Sequence, residues 1–183
     1  MKWVAAGYGW CATHFHERYR RADNAAGSNL IVIDFDGDTT LDAFWSTRTA
    51  EDWCTATYTS ASHSEQEHRF RALFALGKDL ESTAQHRGAY WLVVNRLLAE
   101  LGLEELKDNC GQKPERLWYG STDCTYRIND GAMVPDFLLE DIDYEEHTDF
   151  VASNCEDIDV KRCQWLLEHF LRPSEDDEYE SYY

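Results

Sequence analysis

Two carboxylates separated by one residue are the feature of this sequence that most directly indicates chemistry. Asp34 and Asp36 follow the apolar run 30–33 and come just before Gly37. Four β-prone apolar residues between a Gly-Ser-Asn stretch and a glycine favour a short buried strand over a helix. Because strand side chains alternate between faces, the two carboxylates point the same way and Phe35 points into the core.

Like charges on one strand face repel each other unless protons or cations occupy the space between them. Mg2+ and Mn2+ are hard cations that prefer oxygen ligands. The pair formed by Asp34 and Asp36 therefore predicts a divalent metal site. The alternative is a strand that ends in a solvated acidic turn.

Two arginines on another predicted strand could bind phosphate oxygens. The alternation of residue types at 68–76 predicts a strand with Arg69 and Arg71 on one face. The apolar residues of the opposite face are Phe70, Ala72, Phe74 and Leu76. Adjacent guanidinium groups form a forked donor array that suits phosphate, although such arginines also form simple surface salt bridges. The preceding turn at 61–64 contains small residues and His63.

The six cysteines form no recognisable disulfide or zinc pattern. No Cys-x-x-Cys pair is present, so we expect reduced and mostly packed thiols. Cys11, His14 and His16 are close in sequence and could ligate a metal, but a fourth ligand is not evident.

Hydrophobic periodicity predicts the elements around these residues. Apolar residues at helical spacing over 83–102, ended by Gly102, predict a core helix. A β-branched and aromatic segment at 55–60 predicts a strand. The other expected elements are helices at 12–22, 40–45 and 49–54, with Thr49 as a cap, strands at 117–120 and 125–128, and an amphipathic helix at 158–171.

The net charge of −18 is concentrated in the last quarter of the sequence. Residues 136–183 contain 16 of the 35 acidic residues and three of the 17 Lys and Arg, which gives −13. We expect a domain at 1–140, followed at 141–183 by an acidic extension with one helix and a linker. An acidic chain binds a phosphate backbone weakly, so a polyanion would need a local basic cluster.

Membrane and secretion signals are not apparent in the sequence. No apolar run approaches the roughly 20 residues of a membrane span, and no signal-peptide pattern opens the chain. We therefore expect a soluble, cytoplasmic protein that does not associate with a membrane.

The order of these motifs resembles the archaeo-eukaryotic primase superfamily. The shared parts are an Asp-x-Asp after an apolar strand, a small-x-His turn, an Arg-Phe-Arg strand, a helix, and an Asp followed by Pro-x-Arg-Leu-x-Tyr-Gly at 114–120. The resemblance is closest to the primase-polymerase domains of phage and plasmid replication proteins and covers roughly 18–139. The combination in this order is far more specific than any single motif.

The resemblance implies a metal-binding role for the acidic residues. Asp34 and Asp36 would bind two catalytic divalent ions, Mg2+ or Mn2+, which would activate a 3′ hydroxyl and stabilise the leaving pyrophosphate. The third motif of the family supplies one more carboxylate. We favour Asp108 for this role because it follows the core helix, and Asp123 is the alternative.

The resemblance also implies a nucleotide-binding role for the polar turn and the arginines. His63 would contact the phosphates of the incoming nucleotide, with the Ser62 hydroxyl beside it. Ala61 stands where the family often has Ser, so the roles of the neighbouring serines differ from the usual pattern. Arg69, Arg71 and Arg116 would neutralise the triphosphate, since such sites stabilise charge on the transferring phosphoryl group.

A fold and an activity follow from the same resemblance. The fold would be α+β, an archaeo-eukaryotic primase fold with an RNA-recognition-like sheet and an N-terminal αβ unit. Residues 1–140 would form a DNA primase-polymerase, a nucleotidyltransferase that uses NTPs or dNTPs on a single-stranded DNA template in plasmid or phage replication. A helicase domain would be a partner if the chain belongs to a longer parent protein.

Three alternatives remain open. Asp-Phe-Asp-Gly at 34–37 also resembles the first motif of haloacid-dehalogenase-type phosphatases, but there Thr-Leu follows the glycine directly and here Asp38 intervenes. Three aspartates occupy positions one, three and five of a calcium loop, but Thr39 and Trp45 stand where Gly and Glu are required. A non-catalytic nucleotide- or nucleic-acid-binding module is the third alternative.

Overall fold

Among the described residues, the two longest strands are those that carry the acidic pair and the arginine pair. A computed structural model describes residues 1–16, 20, 24–81, 84–103 and 114–142. The strands are β1 (Gly9–Trp10), β2 (His14–Phe15), β3 (Ala25–Asp36), β4 (Ala56–Thr59), β5 (Arg69–Glu81), β6 (Trp118–Tyr119) and β7 (Tyr126–Ile128). The helices are α1 (Lys2–Ala5), α2 (Leu41–Trp45), α3 (Arg48–Trp53), α4 (Ala84–Glu100) and a 3₁₀ helix at Asp136–Leu139.

Five of the strands form one antiparallel sheet in the order β2-β3-β5-β4-β7, and β1 pairs with β6 in a separate two-stranded sheet. The pairs β2–β3, β3–β5, β5–β4 and β4–β7 are all antiparallel. The predicted α+β class is therefore confirmed, and so are the strands expected at 30–33, 55–60 and 68–76. β3 and β5 both extend further than their apolar runs.

One face of the sheet forms the main hydrophobic core, as the period of two in β5 predicts. Phe70, Ala72 and Phe74 are fully buried, and Phe35 of β3 stacks on Phe70 with a centroid distance of 4.6 Å. The helix α4 packs on this face through apolar side chains at helical spacing. These are Tyr90, Val93, Val94, Leu97 and Leu98, all of which are buried. The predicted core helix is therefore confirmed.

The opposite face of the sheet is covered by α1 and the β1–β6 sheet. Val4 of α1 packs with Tyr58 of β4, and Trp118 of β6 packs with Val32 of β3. The indole N–H of Trp10 donates to the Tyr58 hydroxyl at 3.2 Å. The central sheet thus lies between α2–α4 on one side and this smaller N-terminal layer on the other.

Two local predictions are wrong in an informative way. Residues 14–15, expected in a helix at 12–22, form β2, because the edge of β3 offers unpaired backbone groups at Ala25 and Gly27. The N-terminal cap of α3 is Thr47 and not Thr49, because the Thr47 hydroxyl accepts from the Ala50 N–H, whereas the Thr49 hydroxyl donates to the Glu100 carbonyl.

The domain boundary expected near 140 and the helix expected at 158–171 stay predictions, since 143–183 lie outside the described residues.

The helices of the described segments include none that is both long enough and apolar enough to cross a lipid bilayer.

The thiols of Cys11, Cys54 and Cys124 are free, as expected for a reduced protein. Cys54 is fully buried after α3, and its thiol donates to the carbonyl groups of Ala56 and Leu73. Burial raises the pKa of Cys54 from 9.0 to about 12. Above pH 9 the unfolded chain therefore loses a proton that the folded chain keeps, which lowers stability as the pH rises from about 9 to about 12.

We expect the Cys54→Ala variant to lose less stability than the wild type over this pH range. Alanine removes the buried thiol and with it the ionisation that favours the unfolded chain. The measurement is urea unfolding at several pH values between 8 and about 12 for both proteins. A stability difference between the two proteins that does not change with pH would contradict this account.

Gly120 determines how closely α1 approaches β6. A Cβ atom at Gly120 would overlap the Val4 carbonyl oxygen, and the Gly120 N–H donates to the Tyr8 carbonyl at 3.1 Å. Gly9 of β1 differs, because a Cβ there would lie 3.6 Å from its nearest neighbours, an ordinary contact. The layer over the sheet is therefore compatible with a side chain at Gly9 but not at Gly120.

Gly120→Ala should lower the free energy of unfolding by about 1–3 kcal/mol, because α1 must move away from β6. Gly9→Ala is the matched control and should stay within about 0.5 kcal/mol of the wild type. Urea unfolding of the two variants compares them directly. Equal stability of the two variants would show that this close approach is not a constraint.

Candidate functional site

The register of β3 and β5 places each acidic residue opposite an arginine. Asp34 pairs with Arg71 and Asp36 pairs with Arg69 across the two strands. Side chains that are directly opposite in an antiparallel pair lie on the same face. As the spacing predicts, both carboxylates are therefore on the face away from Phe35, and both arginines are there with them.

Asp34 and Arg71 are both enclosed charged groups of this surface. Arg71 Nε donates to Asp34 Oδ1 at 3.1 Å and Arg116 Nη2 donates to Asp34 Oδ2 at 3.3 Å. The side chains of Asp34 and Arg71 are only 15% and 14% exposed. The repulsion expected between the two carboxylates is thus relieved by guanidinium groups in this structure.

The guanidinium group of Arg71 is held in place by several neighbours. Its Nη1 donates to the Tyr119 carbonyl at 2.7 Å and to the Tyr58 hydroxyl at 3.3 Å. The Trp118 ring lies beside both arginines, with its centroid 5.2 Å from Arg71 Cζ and 4.5 Å from Arg116 Cζ. Burial of Tyr58 raises the pKa of its hydroxyl, which therefore stays neutral as the acceptor for Arg71.

Asp36 is more exposed and more weakly held. Its Oδ1 lies 2.9 Å from Arg69 Nε, and its side chain is 58% exposed. Arg69 also donates from Nη2 to Glu67 at 2.7 Å. The hydrogen bond to Glu67 and the nearby Asp36 carboxylate raise the pKa of Arg69, so this arginine keeps its charge.

These groups line an open cleft of about 410 Å3 at the end of the sheet. The cleft is lined by Asp34, Asp36, Ser60, Ala61, Ser62, Arg69, Arg71, Tyr119 and Gly120. The hydroxyl oxygens of Ser60 and Ser62 are 3.2 Å apart. The cleft therefore combines carboxylates, guanidinium groups and hydroxyl groups, a set that can bind cations and phosphate oxygens together.

His63 lies beside the cleft and is not among the residues that line it. Its Nδ1 accepts a hydrogen bond from the Arg69 backbone N–H at 3.1 Å. In the neutral ring the proton is therefore on Nε2, which can donate to an anion. The ring also contacts His68 edge to face, with a centroid distance of 5.1 Å.

The structure does not bring every predicted residue to the cleft. Asp123 is in the connection between β6 and β7, is exposed, and does not line the cleft. Asp108 lies outside the described residues. Cys11, His14 and His16 are not brought together as a group, and no cluster of three or more potential His, Cys, Asp or Glu ligands occurs in the described segments. The thiol of Cys11 instead lies 3.6 Å from the Pro114 carbonyl oxygen.

The donor set fits a magnesium or manganese ion that is shared with substrate phosphates. Mg2+ is commonly held by one or two carboxylates together with phosphate oxygens and water, and does not need a closed protein cage. Asp34 and Asp36 provide two carboxylates on one strand face, and the Ser62 hydroxyl lines the same cleft. A cation would compete with the arginines for these carboxylates.

Two lining residues were not anticipated from the sequence. Tyr119 was expected only as part of a strand, and Gly120 only as the end of a motif. The alternation of side chains along β6 could have indicated that Tyr119 is exposed. Trp118 is buried, and the next side chain on a strand points to the opposite face.

Comparisons with protein-family models, curated proteins and solved structures find no match to this chain.

The two carboxylates should differ in their importance for stability. Asp34→Asn removes the enclosed carboxylate to which both Arg71 and Arg116 donate hydrogen bonds, and should cost about 1–3 kcal/mol. Asp36→Asn removes an exposed ion pair and should cost less than about 1 kcal/mol. Urea unfolding in the presence of a metal chelator measures both. An Asp34→Asn variant more stable than the wild type would mean that carboxylate repulsion dominates.

Proposed function

We propose that this chain is a metal-dependent nucleotidyltransferase, a DNA primase-polymerase that makes primers or extends strands on single-stranded DNA in plasmid or phage replication. The observation that carries the proposal is the pairing of Asp34 with Arg71 and of Asp36 with Arg69 on one sheet face. It gives one cleft both the carboxylates that hold divalent ions and the cations that hold a triphosphate. The order of motifs along the sequence supports the same activity.

Asp34 and Asp36 would hold the divalent ions, with Asp108 favoured as the third carboxylate over Asp123, which does not line the cleft. Bound Mg2+ or Mn2+ supplies activation of the attacking 3′ hydroxyl and stabilisation of the leaving pyrophosphate. The residues of the chain orient the nucleotide and neutralise its charge, and none has to act as a covalent nucleophile.

The arginines would change partners when the cleft is filled. Arg69 and Arg71 are paired with Asp36 and Asp34. When a cation occupies the carboxylates, these guanidinium groups can turn to phosphate oxygens, for which their planar donors are well suited. Cation and nucleotide binding would therefore favour each other.

Three further groups would complete the nucleotide site. Arg116 also bonds to Asp34 and would join the other arginines at the triphosphate. His63 would donate from Nε2, since its Nδ1 is occupied by the Arg69 N–H. Ser62 would offer its hydroxyl from the turn that lines the cleft.

The finer fold assignment belongs to the same proposal. The antiparallel sheet with α4 on one face would be the RNA-recognition-like core of an archaeo-eukaryotic primase fold. The smaller layer of α1, β1 and β6 would be the N-terminal unit that completes the cleft. NTPs or dNTPs and a single-stranded template would be the substrates, with a helicase domain as a partner in a longer parent protein.

A phosphatase of the haloacid-dehalogenase type fits this chain less well. Its first motif continues with Thr-Leu directly after the glycine, whereas Asp38 follows Gly37 here. A calcium loop fits poorly too, because Asp34 and Asp36 belong to a long paired strand. A non-catalytic binding module is the alternative that the activity measurement must exclude.

The wild-type chain should extend a primer or make new strands from single-stranded DNA, mixed labelled nucleotides and Mg2+ or Mn2+. Product sizing should give a ladder, whereas a phosphatase would release only inorganic phosphate. Asp36→Asn should lower incorporation at least about 100-fold, because a metal ligand that acts in the transition state is lost. Arg69→Ala should raise KM and lower kcat together, since its contact strengthens as charge develops on the phosphates.

Arg48→Ala is the control for the loss of a surface arginine. Arg48 forms an exposed pair with Asp52 in α3 and does not line the cleft. Incorporation by this variant should match the wild type. Near-normal incorporation by Asp36→Asn, or equal effects of the two arginine changes, would remove the proposed site.

A further inference from the structure

His68 is a polar residue near the cleft to which the proposed activity gives no role. It ends the connection between β4 and β5, directly before Arg69, and its side chain is partly buried. It is not among the residues that line the cleft. Because the polar atoms of partly buried side chains are usually hydrogen-bonded, the partners of this ring indicate what it holds in place.

The ring of His68 is fixed by the start of α2. Its Nδ1 accepts a hydrogen bond from the Leu41 N–H at 3.2 Å. Leu41 is the first residue of α2, where backbone N–H groups have no partner within the helix. The Thr40 hydroxyl caps the same end by accepting from the Ala43 N–H. When the His68 ring is neutral, its proton is therefore on Nε2.

The backbone of His68 holds the turn that follows Asp36. The Gly37 N–H donates to the His68 carbonyl at 2.9 Å, which continues the pairing of Asp36 with Arg69. Gly37 has a φ of +94°, which a glycine adopts without strain. His68 therefore binds both ends of the segment 37–41, which leads from the acidic pair into α2.

The ring of His68 also contacts His63. The two rings are nearly perpendicular, at 87°, with a centroid distance of 5.1 Å. The side chain of His63 accepts a hydrogen bond at Nδ1 from the Arg69 N–H at 3.1 Å. That bond fixes one ring nitrogen but allows the ring to turn about it. An edge-to-face contact with a second, anchored ring restricts this rotation.

We propose that His68 is a positioning residue for His63. It fixes the orientation of the His63 ring, so that Nε2 is preorganised to donate to an anion, and it holds this ring in register with the turn after Asp36. His68 acts through His63 and does not touch the nucleotide. The inference rests on the proposed function only in assigning that anion to the phosphates of a nucleotide.

A simple cap of α2 is the competing role for His68. Capping accounts for the bond from the Leu41 N–H, but it needs only an acceptor, and Asn is one of the residues that helix starts favour. The contact with His63 needs the ring. His68→Asn separates the two roles, because the amide oxygen of Asn can keep the bond from Leu41 while the ring is lost.

The first measurement is amide hydrogen exchange of the full chain by NMR, with a chelator and without nucleotides. In His68→Asn the Arg69 N–H should exchange at least about 5-fold faster than in the wild type, because its acceptor ring is no longer held. The Leu41 N–H should stay within about twofold of its wild-type rate. The Ala75 N–H is the control for the fold of β5, since it donates to the Thr55 hydroxyl, and its rate should not change.

Two alanine variants set the scale of this measurement. His63→Ala removes the acceptor of the Arg69 N–H and therefore gives the largest increase in its exchange. His68→Ala removes both the ring and the acceptor for Leu41, so the exchange of the Leu41 and Arg69 amides should rise together.

The second measurement is primer extension with a single-stranded DNA template and Mg2+ or Mn2+. His68→Asn should lower kcat at least about 5-fold with a smaller change in KM, because a misoriented His63 costs most where charge develops on the phosphates. In a His63→Ala background the same change should lower kcat by less than about twofold, since a positioning residue acts only through the side chain that it positions.

Two outcomes would overturn the positioning role. Unchanged exchange of the Arg69 N–H in His68→Asn would limit His68 to the capping of α2. A loss of kcat on His68→Asn that is as large without the His63 side chain as with it would give His68 a role of its own.

The positioning role and the proposed activity can fail separately. Faster Arg69 exchange in His68→Asn, in a chain that incorporates no nucleotide, would retain the contact between the two rings and refute the polymerase. Incorporation that falls on His63→Ala but not on His68→Asn would retain the polymerase and refute the positioning role.

Discussion

The ion pair between Asp34 and Arg71 connects the parts of this protein that lie far apart in the sequence. Two enclosed charges must be paired, because a partly buried charge without a partner costs several kcal/mol. Arg71 of β5 pairs with Asp34 of β3, and it also donates a hydrogen bond to the Tyr119 carbonyl of β6. Arg116 adds a second bond to the same carboxylate from the segment before β6. One network of hydrogen bonds therefore joins β3 and β5 to β6 at the cleft.

The sequence predicted which side chains share a face, but not which of them meet. The period of two in β3 and β5 placed Asp34 with Asp36 and Arg69 with Arg71, because that period is a property of each strand alone. The register that puts Asp34 opposite Arg71 depends on two strands far apart in sequence, so no local pattern contained it. The sequence interpretation assigned the expected carboxylate repulsion to a metal, and it did not include the arginine partners that the register gives to both carboxylates.

The wrong local predictions have the same origin. His and Arg are compatible with a helix at 12–22, but pairing with the edge of β3 outweighs a weak helix propensity. Thr47 and Thr49 are equally good caps by residue type, and only the position of α3 against the Glu100 carbonyl decides between them. Alternation along β6 indicated that Tyr119 is exposed, but not that it lies at the cleft, because the β1–β6 pairing that places it there is between residues far apart in the sequence.

The indole of Trp118 lies between the charges of the cleft and the buried side of β6. Its ring centroid is 5.2 Å from Arg71 Cζ and 4.5 Å from Arg116 Cζ, and its side chain is shielded from water. A cation at this distance shifts the energy of the excited indole, so its emission wavelength depends on where the two guanidinium groups are. In a variant that keeps Trp118 as the only one of the seven tryptophans, the emission would therefore report on the protein's own arginines without any attached dye.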